Sequence, residues 1–331
     1  MSFENFAGND HIKTQLKRFI TTGQILNSYV FSGETGIGKK TLSDMFIKEV
    51  FCEAPSNGGA CGTCSACLQV QSENHPDIIY LAKQKDKKTY GIDEIREQII
   101  KQAYIKPFIA AKKIFVIKEG DDLTKEAQNG LLKVLEEPPE YVTFIILVSE
   151  KSMLLDTVLS RSCVINLHPA PLGEVNVFLK KNYPTLKDGE TDFYAKFSQG
   201  IIGKSIKIIE NEEYRTLFYD TAKHLSSVIK TKDTLVDFHR FLLDNKENIL
   251  QITEFMLIFF RDCIFSCEGL KSKLICPQNL NNISCDTGSK KKYVHCMDAV
   301  IKFKNKINYN ASFSFTCLEL LTDIQKNCNT L

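Results

Sequence analysis

The chain has 331 residues, of which 43% are hydrophobic, 25% charged and 10% aromatic, an ordinary globular balance with room for two or three domains. That balance excludes disordered, collagen-like and disulfide-scaffold chains, and the longest apolar runs, Phe144–Val148 and Phe255–Phe260, fall far short of the ~18 residues of a membrane span. Lys and Arg number 42 against 40 Asp and Glu, a net charge of +2, which does not mark a generic polyanion binder.

The opening Met1-Ser2-Phe3-Glu4-Asn5 has no basic segment followed by an apolar stretch, so a cytoplasmic chain without an export signal is expected. Strand and helix signals then alternate through residues 1–168. Tyr29–Ser32 reads as a short strand running into glycine. Lys39–Phe51 places Leu42, Phe46, Ile47 and Val50 on one helical face. Ile78–Leu81 reads as a buried strand, Ile92–Tyr104 as a helix and Lys113–Lys118 as a strand. Thr124–Glu137 reads as a helix capped by Thr124 and stopped by Pro138-Pro139. Thr143–Val148, Met153–Leu159 and Cys163–Leu167 complete the series as strand, short helix and strand. Such alternation predicts a parallel sheet covered by helices on both faces, an α/β fold.

From Pro169 onward helical periodicity takes over. Leu172–Tyr183, Asp192–Gln199 and Lys204–Asn211 suit a small three-helix unit. Residues 212–331 read as a further all-α domain with helices at Tyr214–Ile229, Thr234–Leu243, Asn248–Phe265, His295–Asn305 and Ser312–Gln325. The polar stretch Glu268–Lys292 reads as a long loop, and Lys83–Lys88 as a solvated one.

Two motifs carry chemistry. Ser32-Gly33-Glu34-Thr35-Gly36-Ile37-Gly38-Lys39-Lys40-Thr41 follows a strand and opens a helix, the setting of a phosphate-binding loop. Its glycines let main-chain N–H groups turn inward, and Lys39 would reach the terminal phosphates. The next position should offer a hydroxyl to Mg²⁺ but is Lys40; Thr41 is one residue late, about 100° around the helix. The strand Ile114-Phe115-Val116-Ile117 should end in a metal-binding Asp but ends in Lys118-Glu119. One unit charge pair at ~4 Å and an effective dielectric of ~20 is worth about 4 kcal/mol. Reversing its sign at a divalent-ion site therefore argues against Mg²⁺, and leaves nucleotide binding without hydrolysis open.

The second motif is cysteine. Of 12 cysteines, Cys52, Cys61, Cys64 and Cys67 cluster, and eight scatter from Cys163 to Cys328. In a reducing compartment the cluster reads as a metal site. Four thiolates leave no open position and suit a structural Zn²⁺; an iron–sulfur cluster would use the same ligands. His75, in His75-Pro76-Asp77, reads as a turn residue, and His11, His168, His224 and His239 show no triad or ligand spacing.

Together these residues resemble the bacterial clamp-loader AAA+ subunits. The likeness rests on the phosphate loop, the four-cysteine insert after its helix and His75-Pro76-Asp77. It rests also on Ala127-Gln128-Asn129-Gly130-Leu131-Leu132-Lys133-Val134-Leu135-Glu136-Glu137-Pro138-Pro139, similar to the family's LEEPP helix, and on Leu159-Ser160-Arg161-Ser162-Cys163, similar to its Ser-Arg-Cys motif with Ser162 in place of Cys. Phe6-Ala7-Gly8-Asn9 with Leu16 adds a weaker N-terminal match.

The resemblance implies an AAA+ domain over 1–168 with a zinc module at 52–67, a helical lid over 169–211 and an oligomerising collar over 212–331. It also implies a ring of motor gamma/tau and delta subunits that opens the sliding clamp and sets it on primed DNA. Motor members keep a Thr after the loop lysine and an Asp-Glu strand end. This chain has neither, so the expected part is a ring member without its own ATPase. In that part Arg161, placed with the help of Ser160, reaches a neighbour's ATP as an arginine finger. Gly33, Gly36, Gly38 and Lys39 form the degenerate loop, and Lys204 stands at the sensor 2 position. Two other readings remain: a motor subunit that hydrolyses ATP, and a zinc-knuckle nucleic-acid-binding protein with a dead loop.

Overall fold

In the computed structural model, which describes residues 3–55, 59–84, 87–230, 234–280, 287–307 and 312–329, five strands form one sheet. They are β1 (Ser28–Ser32), β2 (Ile78–Tyr80), β3 (Lys113–Ile117), β4 (Val142–Val148) and β5 (Cys163–Asn166), in the order β2-β3-β4-β1-β5. Every neighbouring pair is parallel, so each connection crosses over the sheet. All residues of β1, β3 and β4 are buried, which explains why these strands are continuous apolar runs.

Side chains alternate between two cores. Tyr29 and Phe31 of β1 and Ile145 and Leu147 of β4 pack with Leu16, Leu42 and Phe46. Val30, Phe144, Ile146 and Val148 pack on the other face with Ile95, Leu131 and Val134. The first core is covered by the helices Asp10–Thr21, Lys39–Phe51 and Ser65–Gln71, and the second by residues 92–103 and the helix Lys125–Glu136. Thr124 caps the last of these, its hydroxyl accepting from Ala127 N–H at 3.2 Å.

Residues 92–103, expected as one helix, change hydrogen-bonding pattern midway: Ile92–Ile95 is α, Arg96–Ile100 is a π-type stretch and Lys101–Ala103 is α again. The buried Lys113 closes this run, donating to the Gln102 and Ile105 carbonyls at 2.9 and 3.1 Å. The helix Asp10–Thr21 lies outside the expected elements.

The chain separates into two compact units, Met1–Pro184 with Gln199–Gly203, and Thr185–Ser198 with Lys204–Leu331. The second is built from helices, among them Glu212–Lys230, Leu235–Asp244, Ile249–Cys267, Lys290–Ile307 and Phe313–Asn329. Tyr214, Phe218 and Phe255 meet edge-on in its core, with centroids 5.1 to 5.2 Å apart for the pairs Tyr214–Phe255 and Phe218–Phe255.

Glu268–Lys292 is not one open loop. It carries short turns at Lys271–Lys273, Pro277–Leu280 and Thr287–Ser289, and Lys290-Lys291-Lys292 already opens a helix. The buried Asp262 carboxylate fixes this stretch by accepting from the N–H groups of Ile275 and Cys276, the latter at 2.8 Å. Among the described residues no helix is long and apolar enough to cross a membrane.

Candidate functional site

The loop between β1 and the helix Lys39–Phe51 is the one expected to bind phosphate. Gly33, Gly36 and Gly38 take φ values of 156°, 87° and 105°, which glycine adopts without steric cost. Among the described residues the N–H groups of Thr35, Gly36, Gly38 and Lys39 donate to no main-chain carbonyl. They border a cavity of about 520 Å³ lined by Thr35, Gly36, Gly38, Lys39, Lys40 and Thr41 on the loop side and by Lys118, Glu119, Asp121 and Asp122 opposite. Lys39 Nζ folds back onto the Gly33 carbonyl and, at 3.2 Å, the Glu34 carbonyl. Burial lowers its pKa, against the attraction of Asp121 and Glu34.

Gly203 is a cavity residue that sequence reading misses. Its N–H donates to the Gly36 carbonyl at 3.0 Å, and a side chain there would stand 2.6 Å from that oxygen. The pairing of Gly36 with Gly203 gives no local signal, because the two segments are far apart in sequence. Lys204 is the third residue of the helix Ile202–Glu210 and belongs to the second unit.

Lys40 and Lys118, the two residues standing where a cation needs oxygen donors, are joined through one carboxylate. Glu73 takes Lys40 Nζ at 3.0 Å on one oxygen and Lys118 Nζ at 2.5 Å on the other. The Lys118 bond, then the Lys40 bond, hold Glu73 below the usual carboxylate range, and the Glu73 bond raises Lys40. Lys118 also lies over the Tyr80 ring, 4.3 Å from its centroid. Glu73 is placed by the end of the helix Ser65–Gln71, where it adopts a left-handed φ of 56°. The residues do not fit Mg²⁺: at the two positions expected to give it oxygen ligands stand Lys40 and Lys118, both paired with Glu73.

The charge of the opposite wall, with its carboxylates Glu119, Asp121 and Asp122, is partly offset. Lys83 pairs with Glu119 at 2.5 Å and Asp122 at 2.6 Å, and these bonds raise its pKa. Lys83 thus departs from the expected solvated loop, while Gln84, Lys87 and Lys88 are exposed as expected; Lys85 and Asp86 lie outside the described residues. Asp121 accepts from the Ser149 N–H and hydroxyl at 2.8 to 3.0 Å.

Arg161 follows the short helix Asp156–Leu159. Its guanidinium pairs with Glu136 at 2.8 Å and donates to the Thr157 carbonyl and Ser160 Oγ at 3.0 and 3.3 Å. About a third of the side chain, 35%, stays exposed. Ser162 ties this turn to β1 through Ser28 Oγ at 2.7 Å. Glu136 therefore joins the LEEPP helix to the arginine, a pairing that neither motif announces alone.

The four clustered cysteines come together, their sulfurs all within 4.8 Å of one another. A tetrahedral metal with ~2.3 Å bonds to sulfur needs S–S separations near ~3.8 Å; Cys61 and Cys67 are already at 4.0 Å. The N–H of Thr63 and then that of Cys64 pull the Cys61 thiol down to about 6, while burial pushes Cys67 up to about 12. A bound ion would displace the protons that the thiols carry. The set could hold a metal ion. His75 is not part of it: the ring is buried edge-on against Phe51 at 4.5 Å, and its Nδ1 accepts from Asp77 N–H.

Residues 8–171 match the family described as "DNA polymerase III, delta subunit". The chain is 36% identical over 160 residues to the DNA polymerase III subunit gamma/tau of Mycoplasma pneumoniae, covering 48% of this chain and 23% of that one. It is 28% identical over 214 residues to the DNA polymerase III subunit tau/gamma of Haemophilus influenzae, covering 63% of this chain and 30% of that one. The chain thus spans less than a third of the length of these curated relatives. Among solved structures, a DNA polymerase III gamma subunit-related protein from Thermotoga maritima superposes over 95% of this chain and 100% of that one, with a TM-score of 0.45 and 18% identity, a likeness too slight to bear on the assignment. The family match takes in the phosphate loop, the cysteine insert, the LEEPP helix and Arg161 in one stretch, and by it the chain belongs to the bacterial clamp-loader AAA+ family.

Proposed function

We propose that the chain is a delta-prime-like subunit of the DNA polymerase III clamp loader. In this reading it is a ring member that does not hydrolyse ATP itself but lends Arg161 to ATP held by a neighbouring subunit, supporting the loading of the sliding clamp onto primed DNA. The observation that carries the reading is the Lys40–Glu73–Lys118 bridge. Hydrolysis by an AAA+ site needs a cation between the phosphates and oxygen ligands, and here two ammonium groups and their shared counter-ion take that place. Lys83 on Glu119 also ties up the carboxylate that follows Lys118 at the strand end.

Arg161 suits the donor role because its guanidinium is oriented by Glu136, Thr157 and Ser160 yet remains partly exposed. A positive charge lent in trans stabilises charge on the transferring phosphoryl group. The four-cysteine set is assigned to a structural Zn²⁺, on its four-sulfur donor set and closed geometry. The lid and collar over 169–211 and 212–331, Lys204 as sensor 2, and partnership with gamma/tau, delta and the clamp are parts of the same proposal.

One observation favours a second reading, an ATP-hydrolysing motor: the two curated relatives just described carry gamma/tau names. Reconstitution distinguishes them. Added to gamma/tau and delta subunits with clamp and primed DNA, the chain should raise the ATPase rate, and Arg161→Ala should leave assembly intact while lowering that rate at least tenfold at the adjoining site. An unchanged rate removes Arg161 from the role; ATPase by the chain alone favours the motor.

A further inference from the structure

We propose that the phosphate loop of this chain takes a polyphosphate anion free of divalent metal, with Lys40 and Lys118 supplying the positive charge that a cation brings elsewhere. The proposal rests on the non-hydrolysing reading above and extends it to a ligand class.

Three features meet in one place. The loop is formed rather than collapsed: its glycines hold positive φ, and four of its N–H groups have no carbonyl partner among the described residues. Such converging donors are an anion receptor. The loop borders a cavity of about 520 Å³, roomy enough for a triphosphate chain. The cavity wall carries three ammonium groups, Lys39, Lys40 and Lys118.

Charge decides between metal-bound and metal-free ligand. Where a hydroxyl and a carboxylate hold Mg²⁺, the ion brings two positive charges to offset the phosphates. Lysine at both positions brings two with the chain itself, and an arriving cation meets repulsion. Of the carboxylates that would repel a bare polyphosphate, Glu119 and Asp122 share the charge of Lys83, and Asp121 is turned to the Ser149 N–H and hydroxyl. Among the described residues Glu73 is the carboxylate that pairs with Lys40 and Lys118, the charge of Asp44 also acts on both, and the Lys40, Lys118 and Glu73 side chains are 56%, 30% and 36% exposed. Ion pairs this open to water are weak and exchange partners readily. Lys39 donates to two loop carbonyls, with the charges of Asp121 and Glu34 attracting it from nearby.

The ligand could be a nucleoside triphosphate or inorganic polyphosphate; the shared chemistry is the phosphate chain. Isothermal titration of the full-length protein with ATP, and separately with inorganic tripolyphosphate, each in EDTA and in excess Mg²⁺, tests this. Binding in EDTA, weakened at least fivefold by Mg²⁺, is expected for both probes. ATP binding tenfold tighter than tripolyphosphate would keep the proposal and add a base contact. Lys39→Ala should abolish binding, and Lys40→Thr with Lys118→Asp, verified as folded by circular dichroism, should invert the Mg²⁺ effect. Absence of binding by wild-type protein in EDTA, or binding only with Mg²⁺, overturns the proposal. Those outcomes leave the functional reading standing; Mg²⁺-ATP turnover by the wild-type chain would overturn that reading instead.

Discussion

Replacing Asp77 by asparagine should destabilise the first unit by about 2–4 kcal/mol. The carboxylate is 1% exposed. One oxygen accepts from Phe108 N–H at 2.5 Å, and the other from Ile109 and Ala110 N–H at 2.9 Å each. Hydrogen bonds to a charged acceptor contribute about 1.5–3 kcal/mol against about 1 for neutral ones, and an unsatisfied buried donor costs about 1–3. Asparagine can keep its oxygen toward Ile109 and Ala110, losing the charge on two bonds, but then points an NH₂ at the Phe108 N–H. The segment so pinned displays Tyr104, Ile105, Phe108 and Ile109 at 53%, 54%, 83% and 60% exposure, so loosening it should also speed chymotrypsin cleavage there. Urea unfolding of full-length protein followed by circular dichroism gives the free energy. Burial pushes the Asp77 pKa up, but the three N–H bonds outweigh it and hold it below the usual range. Its contribution is therefore present above pH ~4, the unfolded value, and is lost as pH falls through the lower folded value. Wild type should lose this increment in acid and the variant should not. A loss below about 1 kcal/mol with unchanged cleavage would refute the reasoning.

Glu73→Ala should remove the bridge between Lys40 and Lys118 at a cost of about 1 kcal/mol, since half-exposed pairs contribute about 0.2–1 kcal/mol each. Glu73→Gly loses the same pairs but relieves a left-handed backbone worth roughly 1 kcal/mol, so it should be near neutral; equal losses in the two variants would count against the left-handed backbone at this position. Elemental analysis should find one zinc per chain, and cobalt-substituted protein should show the absorption of a tetrahedral four-thiolate site, weakened in Cys64→Ser. Metal-replete protein without zinc would rule out the cysteine assignment. Arg161→Ala, read in the reconstituted complex, should lower ATPase without changing the size of the assembly.

The sheet was legible because its central strands are buried on both faces and so read as unbroken apolar runs, as Phe144–Val148 does. Thr124 and the two prolines after Glu137 bound their helix by purely local chemistry. The cysteine set was legible for a similar reason, since its spacing alone brings the sulfurs near one another. Contacts between distant residues were not. Glu73 finds Lys118 across 45 positions, and Lys83 finds Asp122 across 39, so a lysine-rich run read as solvated surface when its first residue is a buried-side partner. Lys290-Lys291-Lys292 opposes the helix dipole at an N-terminus and so reads as loop; the pairing of Lys290 with Glu268 at 2.5 Å and the packing of Tyr293 and Cys296 override that preference. Arg161 was found through motif likeness, while its orienting partner Glu136 became visible only in three dimensions.

Phosphate release by the purified chain alone, with ATP and Mg²⁺ in excess, tests the central claim most directly. With Lys40 and Lys118 at the cation's positions, the rate should not exceed that of the Lys39→Ala variant measured beside it. Turnover that requires both Mg²⁺ and Lys39 would contradict the account.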